Sequence, residues 1–109
     1  MASISDTPGA HTIHGSNIAD TILGNDGADT IFGEDGDDTI YGGTAGGATD
    51  PSNDILDGGD GNDHIYGEAG NDTLTGDDGN DVLDGGDGND NLSGGNGAER
   101  LVAILATTR

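Results

Sequence analysis

The sequence predicts an all-β solenoid in which glycine-rich turns alternate with short parallel strands. Three observations predict it, and all three share a period of nine residues. A glycine recurs with this period, an acidic residue follows it by five places, and a branched aliphatic residue follows the acid by two. Such repeats are the signature of coils that stack on one another. The glycines are Gly15, Gly24, Gly33, Gly42, Gly58, Gly67, Gly76, Gly85 and Gly94.

The first six residues of each unit predict a turn. Glycine reaches positive φ without a steric penalty, and aspartate and asparagine tolerate that region. The sixth residue is acidic in every unit, so each turn ends on a carboxylate. These acids are Asp20, Asp29, Asp38, Asp54, Asp63, Asp72, Asp81, Asp90 and Glu99.

The last three residues of each unit predict a short strand with one apolar residue in its middle. Because side chains alternate between the faces of a strand, the middle residue points inward and its neighbours point outward. Stacked coils would then bury a ladder of aliphatic side chains. The ladder comprises Ile22, Ile31, Ile40, Leu56, Ile65, Leu74, Leu83, Leu92 and Leu101.

One unit is interrupted by additional residues. Gly42 and Gly58 are 16 residues apart, seven more than the period, and the repeat resumes unchanged after Gly58. Surface loops tolerate extra length at small entropic cost. We therefore expect the insertion to bulge from one edge while Leu56 keeps its place in the ladder.

The charge of the chain indicates cations as its partners. Twenty-two acidic residues face two basic ones, for a formal net charge of −20. Repulsion of this size disfavours nucleic acid and anionic membranes as partners, because nothing in the chain could neutralise phosphates. The absence of cysteine excludes disulfides and thiolate metal sites. No cleavable signal peptide is expected from MASISD, and no window has transmembrane length.

Stacking predicts which cation the turns would bind. Coils about 4.8 Å apart place equivalent aspartates in rows, where their charges repel each other. Calcium binds oxygen at roughly 2.3 to 2.6 Å, so one ion can lie between carboxylates of successive coils. Carbonyl oxygens of the glycine-rich turns would complete its six or more ligands.

Two segments carry a resemblance to a known family. GGDGNDHIY at 58–66 and GGDGNDNLS at 85–93 resemble the nonapeptide G-G-x-G-x-D-x-U-x of the RTX, or haemolysin-type, calcium-binding repeat. The resemblance covers about residues 15–102. It implies a right-handed parallel β-roll with two nonapeptides per coil, and about three to seven Ca²⁺ ions. It also implies a bacterial protein secreted through a one-step exporter into calcium-rich surroundings.

The same resemblance implies the ligands. The carboxylate ligands are the sixth residues Asp20, Asp29, Asp38, Asp54, Asp63, Asp72, Asp81 and Asp90. Carbonyl ligands come from the first four residues of the turns, at Gly33, Asp35, Gly36, Gly58, Gly59, Asp60, Gly61, Gly67, Ala69, Gly70, Gly76, Asp78, Gly79, Gly86 and Gly88.

Each ion is expected between one unit and the next but one. The best sites pair acids whose turns both keep the pattern: Asp38 with Asp63, Asp63 with Asp81, and Asp72 with Asp90. Three kinds of pairing are weaker. Asp20 with Asp38 suffers because Ile18 replaces the fourth-position glycine, the pairings of Asp54 involve the interrupted turn, and Asp81 with Glu99 uses a longer acid.

The chain is expected to be a monomer with three parts. A lead-in spans 1–14, the roll spans 15–102 with an insertion near 44–52, and a tail or cap spans 103–109. The apolar segment LVAIL could cover the open last coil, since solenoids need capped ends, or it could be the remnant of a longer segment.

Other functions find less support in the residues. No window has the alternating acids of an EF-hand, and a disordered acidic segment is the expected state without calcium. An enzyme is not expected, because there is neither H-E-x-x-H nor a nucleophile setting. His11 and His14 could bind a transition metal, although exposed histidines without a ligand are commoner. The alternative is a polysaccharide-binding or adhesin module with an outward aromatic patch of Phe32, Tyr41 and Tyr66.

Overall fold

The computed structural model describes residues 2–5, 9–43, 52–97 and 100–102. These residues contain eleven short β-strands and no helix. The strands are β1 Ala2–Ser5, β2 Thr12–His14, β3 Asp20–Leu23, β4 Thr30–Phe32, β5 Thr39–Tyr41, β6 Ile55–Asp57, β7 His64–Tyr66, β8 Thr73–Thr75, β9 Val82–Asp84, β10 Asn91–Ser93 and β11 Arg100–Val102.

The strands form two parallel sheets. The odd-numbered strands form one sheet, in the order β1-β3-β5-β7-β9-β11, and the even-numbered strands form the other, in the order β10-β8-β6-β4-β2. The chain therefore changes sheet after every unit, and one coil takes two units. Ile40 pairs with Ile22, and across the insertion it pairs with Ile65. The predicted parallel β-roll with two repeats per coil is confirmed.

A single aliphatic ladder fills the space between the sheets. A three-residue strand directs only its middle side chain inward, which is why each unit contributes one core residue. Leu92 is partly buried and packs against the cluster. The buried members are Ile13, Ile22, Ile31, Ile40, Leu56, Ile65, Leu74 and Leu83.

The roll begins upstream of residue 15, because β1 and β2 both pair with it. Residues 12–14 of β2 lie beside residues 30–32 of β4, and Ile13 joins the core ladder. In the sequence, Ile13 precedes Ile22 by nine residues, so it occupies the eighth position of a unit at 6–14. His11 stands at the sixth position of this unit, where the other units have an acid, so the unit does not match the acidic repeat.

The interrupted unit keeps its register on both sides. Gly42 N–H donates to the carbonyl of Tyr66 at 2.8 Å, and Ile55 N–H donates to the carbonyl of Asp29 at 2.9 Å. Leu56 lies fully buried in the ladder, as predicted. Residues 44–51 and the tail at 103–109 lie outside the described residues, so the bulge and the cap expected there stay predictions.

Candidate metal centre

Regular turns have a positive φ at their second and fourth residues. In the turn at 58–63 the φ angles are 85° at Gly59 and 124° at Gly61. The second position also accepts Glu34, at 76°, and Asp77, at 66°. A φ as large as that of Gly61 lies beyond the left-handed region that other residues visit, so the fourth position favours glycine. A Cβ at Gly61 would also collide with the carbonyl oxygen of Gly36 in the preceding coil.

The sixth-position acids form two rows, one at each edge of the roll. Within each row, the backbone N–H of every acid but the last donates to Oδ1 of the acid one coil further on. The distance is 2.8 Å from Asp38 N to Asp63 Oδ1 and 2.8 Å from Asp63 N to Asp81 Oδ1. The first row comprises Asp20, Asp38, Asp63 and Asp81, and the second comprises Asp29, Asp54, Asp72 and Asp90.

All the predicted pairs among these acids are therefore neighbours in the structure, including those that the insertion separates in sequence. The pair of Asp81 with Glu99 involves a residue outside the described part of the chain. Neighbouring position does not by itself make a ligand, and the assignment of each acid to calcium stays a prediction.

The second carboxylate oxygen is the chemically distinctive atom of these rows. The Oδ2 atoms of Asp38, Asp63 and Asp90 are buried and have no hydrogen-bond partner. A buried carboxylate oxygen without a partner is costly, and native proteins rarely leave one in that state. These three atoms mark the positions where a cation would supply the missing interaction.

The first-position glycines make room for this oxygen. A Cβ built on Gly33 would lie 2.5 Å from Oδ2 of Asp38 and 2.7 Å from the carbonyl oxygen of Gly58 in the next coil. The same two kinds of oxygen meet at Gly67. At Gly33 and Gly67 φ is not positive, so glycine is required because these two oxygens leave no room for a Cβ. A carboxylate oxygen and a carbonyl oxygen from successive coils converge, and calcium prefers such oxygen ligands.

Burial makes the charge of these acids unfavourable in the absence of a cation. Burial raises the pKa of Asp63 from 3.8 to about 8, and the charges of Asp38 and Asp81 add to the rise, while a backbone hydrogen bond opposes it. Burial likewise raises the pKa of Asp38 to about 6 and raises that of Asp90. An adjacent divalent cation favours the ionised form instead.

The predicted carbonyl ligands divide into two kinds. The first-position carbonyl of Gly58 lies beside a carboxylate oxygen, as described above. Third-position carbonyls link the turns instead: Gly36 N–H donates to Asp60 O at 3.0 Å, and Gly61 N–H donates to Asp78 O at 3.1 Å. A carbonyl oxygen has a second lone pair, so these bonds leave it able to bind a cation. The other predicted positions lie in these turns and in those at 67–72 and 85–90, at Gly33, Asp35, Gly59, Gly67, Ala69, Gly70, Gly76, Gly79, Gly86 and Gly88.

The rows offer few acidic side chains to any one ion. Across the ranges that the structure describes, no three His, Cys, Asp or Glu side chains form a group suited to a metal. A site between two coils would therefore use two carboxylates and depend on backbone carbonyls for its remaining ligands. This matches a repeat that combines one acid with several glycines.

The turn at 15–20 departs from the others, as Ile18 predicts. Neither Ser16 nor Ile18 has a positive φ. Ser16 N–H donates to Oδ2 of Asp20 at 2.6 Å, and the Ser16 hydroxyl lies 2.8 Å from the same oxygen. The carboxylate oxygen that would face a cation thus has protein donors in its own turn.

A second acidic region escapes the repeat pattern. A cleft of about 250 Å³ lies on the outer side of the even-numbered sheet. Burial, followed by a hydrogen bond with Asp77, raises the pKa of Asp57 to about 7. Asp57 is the ninth residue of its unit and Asp77 is the second residue of another unit. These two positions do not match in the repeat, and the residues meet only because the coils stack. The lining residues are Phe32, Glu34, Asp35, Asp57, Gly59, Asp60 and Asp77.

The aromatic residues do not form one patch. Tyr41 and Tyr66 stack on the odd-numbered sheet, with ring centroids 4.9 Å apart. Phe32 lies on the other sheet and stacks on His14 at 5.0 Å. The outward aromatic patch of the alternative function is therefore divided between two faces, and in each stacked pair the rings turn one face towards each other.

The stacked turns and the convergent carboxylate and carbonyl oxygens are those of a calcium-binding β-roll. A family model described as the RTX calcium-binding nonapeptide repeat (4 copies) matches residues 14–45, 49–83 and 69–98. The chain belongs to this family, so it is a calcium-binding structural repeat module. Comparison with the curated proteins and with the solved structures gave no match. In the described residues no helix is long and apolar enough to cross a membrane.

Proposed function

We propose that the chain is a calcium-dependent folding and stabilising module of an extracellular, type I-secreted bacterial protein. The supporting observation is the buried, partnerless Oδ2 of Asp38, Asp63 and Asp90 in turns built to bring oxygen atoms together. A fold that buries such atoms loses stability as they ionise, unless something compensates their charge. The family supports calcium as that cation.

Each inner acid of a row would serve two sites. Asp63 has Asp38 on one side and Asp81 on the other, so its carboxylate would contribute to an ion shared with each. Bound calcium supplies two positive charges, which offset the charges of the two acids on either side. First-position carbonyls such as that of Gly58 would complete the oxygen ligands.

Calcium at extracellular concentration would supply a large share of the stability. Extracellular modules bind calcium with dissociation constants of roughly 10⁻⁴ to 10⁻³ M. At about 2 mM calcium, a site of 10⁻⁴ M adds about 1.8 kcal/mol. Six such sites would add on the order of 11 kcal/mol, which is comparable with the whole stability of a domain.

The dependence of stability on calcium would keep the chain unfolded until it has been exported. At the sub-micromolar calcium of a cytosol this contribution vanishes, and a glycine-rich chain with a net charge of −20 would stay unfolded. An unfolded chain can pass through a one-step exporter and would fold on meeting calcium outside. Secretion through this route is the part of the proposal that rests on the family resemblance alone.

Equilibrium dialysis with calcium, followed by metal analysis, tests the binding function. The expected result is about three to seven ions per chain. Magnesium at the same concentration should not replace them, because it demands a tighter octahedral shell and loses water reluctantly. A chain that retains less than one calcium ion at millimolar concentration would contradict the proposal.

The alternative is a polysaccharide-binding or adhesin module. Tyr41 and Tyr66 offer an outward aromatic pair, but their mutual stacking and the separate position of Phe32 give it less support. Titration with glycans in calcium and in chelator distinguishes the two, since only a binding module would show saturable glycan binding.

A further inference from the structure

We propose that the turn at 15–20 binds no calcium ion. Here Ser16 donates hydrogen bonds to the Asp20 carboxylate, in the place that calcium takes at other acids of the same row. This inference rests on the proposed calcium function, because it states which position of the row takes no ion. It makes the N-terminal end of the roll a calcium-independent coil, on which the calcium-bound coils stack.

The argument starts from Ile18. The fourth position of a regular turn has a large positive φ, as at Gly36, where φ is 114°. A β-branched residue cannot adopt this conformation without strain, and Ile18 does not adopt it. The turn therefore takes a different path, in which Ser16 also lacks the positive φ of a second-position residue.

The changed path directs donors at the carboxylate. Ser16 N–H lies 2.6 Å from Oδ2 of Asp20, and the Ser16 hydroxyl lies 2.8 Å from Oδ2 and 3.0 Å from Oδ1. In the next coils of the same row, Oδ2 of Asp38 and of Asp63 has no hydrogen-bond partner. Two protein donors therefore lie at the oxygen whose equivalents in Asp38 and Asp63 have no hydrogen-bond partner.

The first and sixth positions of this turn keep the geometry of a regular turn. Gly15 keeps the first position, and a Cβ there would lie 2.5 Å from the carbonyl oxygen of Gly33 in the next coil. Asp20 is in register with Asp38, whose Oδ1 accepts its N–H at 2.8 Å. The turn differs from a regular one at its second and fourth residues, and Ile18 N–H donates to the Ser16 hydroxyl oxygen at 3.4 Å, whereas Gly36 N–H donates to Asp60 O in the next coil.

The opposite edge begins in a similar way. His11 stands at the sixth position, and its N–H donates to Oδ1 of Asp29 at 3.0 Å, as an acid would. Its Nδ1 lies 3.8 Å from the same oxygen. An imidazole nitrogen is a poor ligand for calcium, which takes oxygen. Both edges thus start with a position that does not present the carboxylate pair of a calcium site.

The test restores the repeat in the first turn. Ser16→Gly with Ile18→Gly converts GSNIAD into GGNGAD, and the ions bound per chain are counted by equilibrium dialysis at saturating calcium, with folding followed by circular dichroism. The double variant should bind one more ion than the unchanged chain. Ser16→Gly alone, which keeps Ile18 and with it the backbone path that directs the N–H of residue 16 at Asp20, is the control and should leave the number unchanged.

Three results would overturn the inference: an equal number of ions in the double variant and the unchanged chain, an additional ion in the Ser16→Gly control, or failure of the double variant to fold at saturating calcium. An unchanged chain that binds no calcium would instead refute the proposed function, so the two failures are distinguishable.

Discussion

Replacing Asp63 by asparagine should change the stability of the roll in opposite directions with and without calcium. Asparagine keeps the shape of the side chain and can accept the Asp38 N–H that Oδ1 now accepts at 2.8 Å. It removes the charge of a fully buried carboxylate in the middle of the first row. The comparison therefore isolates the charge from the hydrogen bond.

The magnitude without calcium follows from the pKa of Asp63. The folded state raises this pKa from 3.8 to about 8, so the stability that Asp63 provides below pH 4 is lost as pH rises through about 8. At pH 7.5 the loss is on the order of 5 kcal/mol at most, at about 1.4 kcal/mol per pKa unit. Asp63→Asn does not titrate, so the metal-free fold should gain up to this amount.

In calcium, the same substitution should lower the stability of the fold. Asp63 would contribute to the sites shared with Asp38 and Asp81, and both sites lose one of their two carboxylates. A tenfold weakening of each would cost about 3 kcal/mol in calcium. The calcium concentration at the folding midpoint should therefore rise several-fold.

The assay is far-ultraviolet circular dichroism in two titrations. One adds calcium, and the other adds an excluded osmolyte such as trimethylamine N-oxide in chelator, which favours the compact state without metal. Asp87→Asn is the control, because Asp87 is exposed at a third position and the substitution removes the same charge. Asp84 is less suitable, since its Oδ1 accepts a hydrogen bond from Gly86 N–H at 3.1 Å.

The expected pattern is a higher calcium midpoint and a lower osmolyte midpoint for Asp63→Asn, with both midpoints nearly unchanged for Asp87→Asn. Equal shifts in the two variants would mean that general repulsion, and not a site, controls folding. A calcium midpoint that falls in Asp63→Asn would refute the assignment of this carboxylate as a ligand.

Three further results are expected. In chelator, acidification from pH 8 to pH 4 should promote β structure in circular dichroism, because the raised pKa values of Asp63 and Asp38 make their neutral forms the stable ones; unchanged spectra would argue against burial of these groups. Gly58→Ala should raise the calcium midpoint several-fold, since its Cβ would lie 2.9 Å from Cγ of Asp63, whereas at Gly43 a Cβ meets only Glu68 side-chain atoms, the nearest at 3.4 Å. Equal midpoints for the Gly58→Ala and Gly43→Ala variants would contradict the steric argument. Deletion of residues 45–51 should leave calcium-dependent folding intact, because hydrogen bonds fix the register on both sides of the insertion; loss of folding would make the segment structural.

The period of nine was sufficient to predict the ladder and the rows. Each core residue is the middle of a three-residue strand, so its inward direction follows from alternation alone. Ile40 and Ile65 show the strength of this signal, since they pair across an insertion that interrupts the repeat. The two sheets required the additional inference, from the family resemblance, that one coil takes two units.

The details of the site could not be predicted from the period, because they depend on contacts between residues one coil apart. The sequence offered positive φ as the reason for glycine in the turns, whereas φ is not positive at Gly33, where the structure shows close approach of a carboxylate and a carbonyl oxygen. The donors that Ser16 presents depend on the path that Ile18 imposes on the backbone. The unit at 6–14 was missed because it lacks two of the three recurring residues: Asp6 stands in place of the first glycine, and His11 in place of the acid.

The most direct test of calcium-coupled folding is a far-ultraviolet circular dichroism spectrum of the unchanged chain in excess chelator and in about 2 mM calcium, a concentration at which sites of 10⁻⁴ M are nearly saturated. The buried carboxylates predict a disordered spectrum in chelator and a β spectrum in calcium, with a cooperative transition between them. A β spectrum in chelator that calcium does not change would contradict the account, because the rows of buried carboxylates would then be stable without any cation.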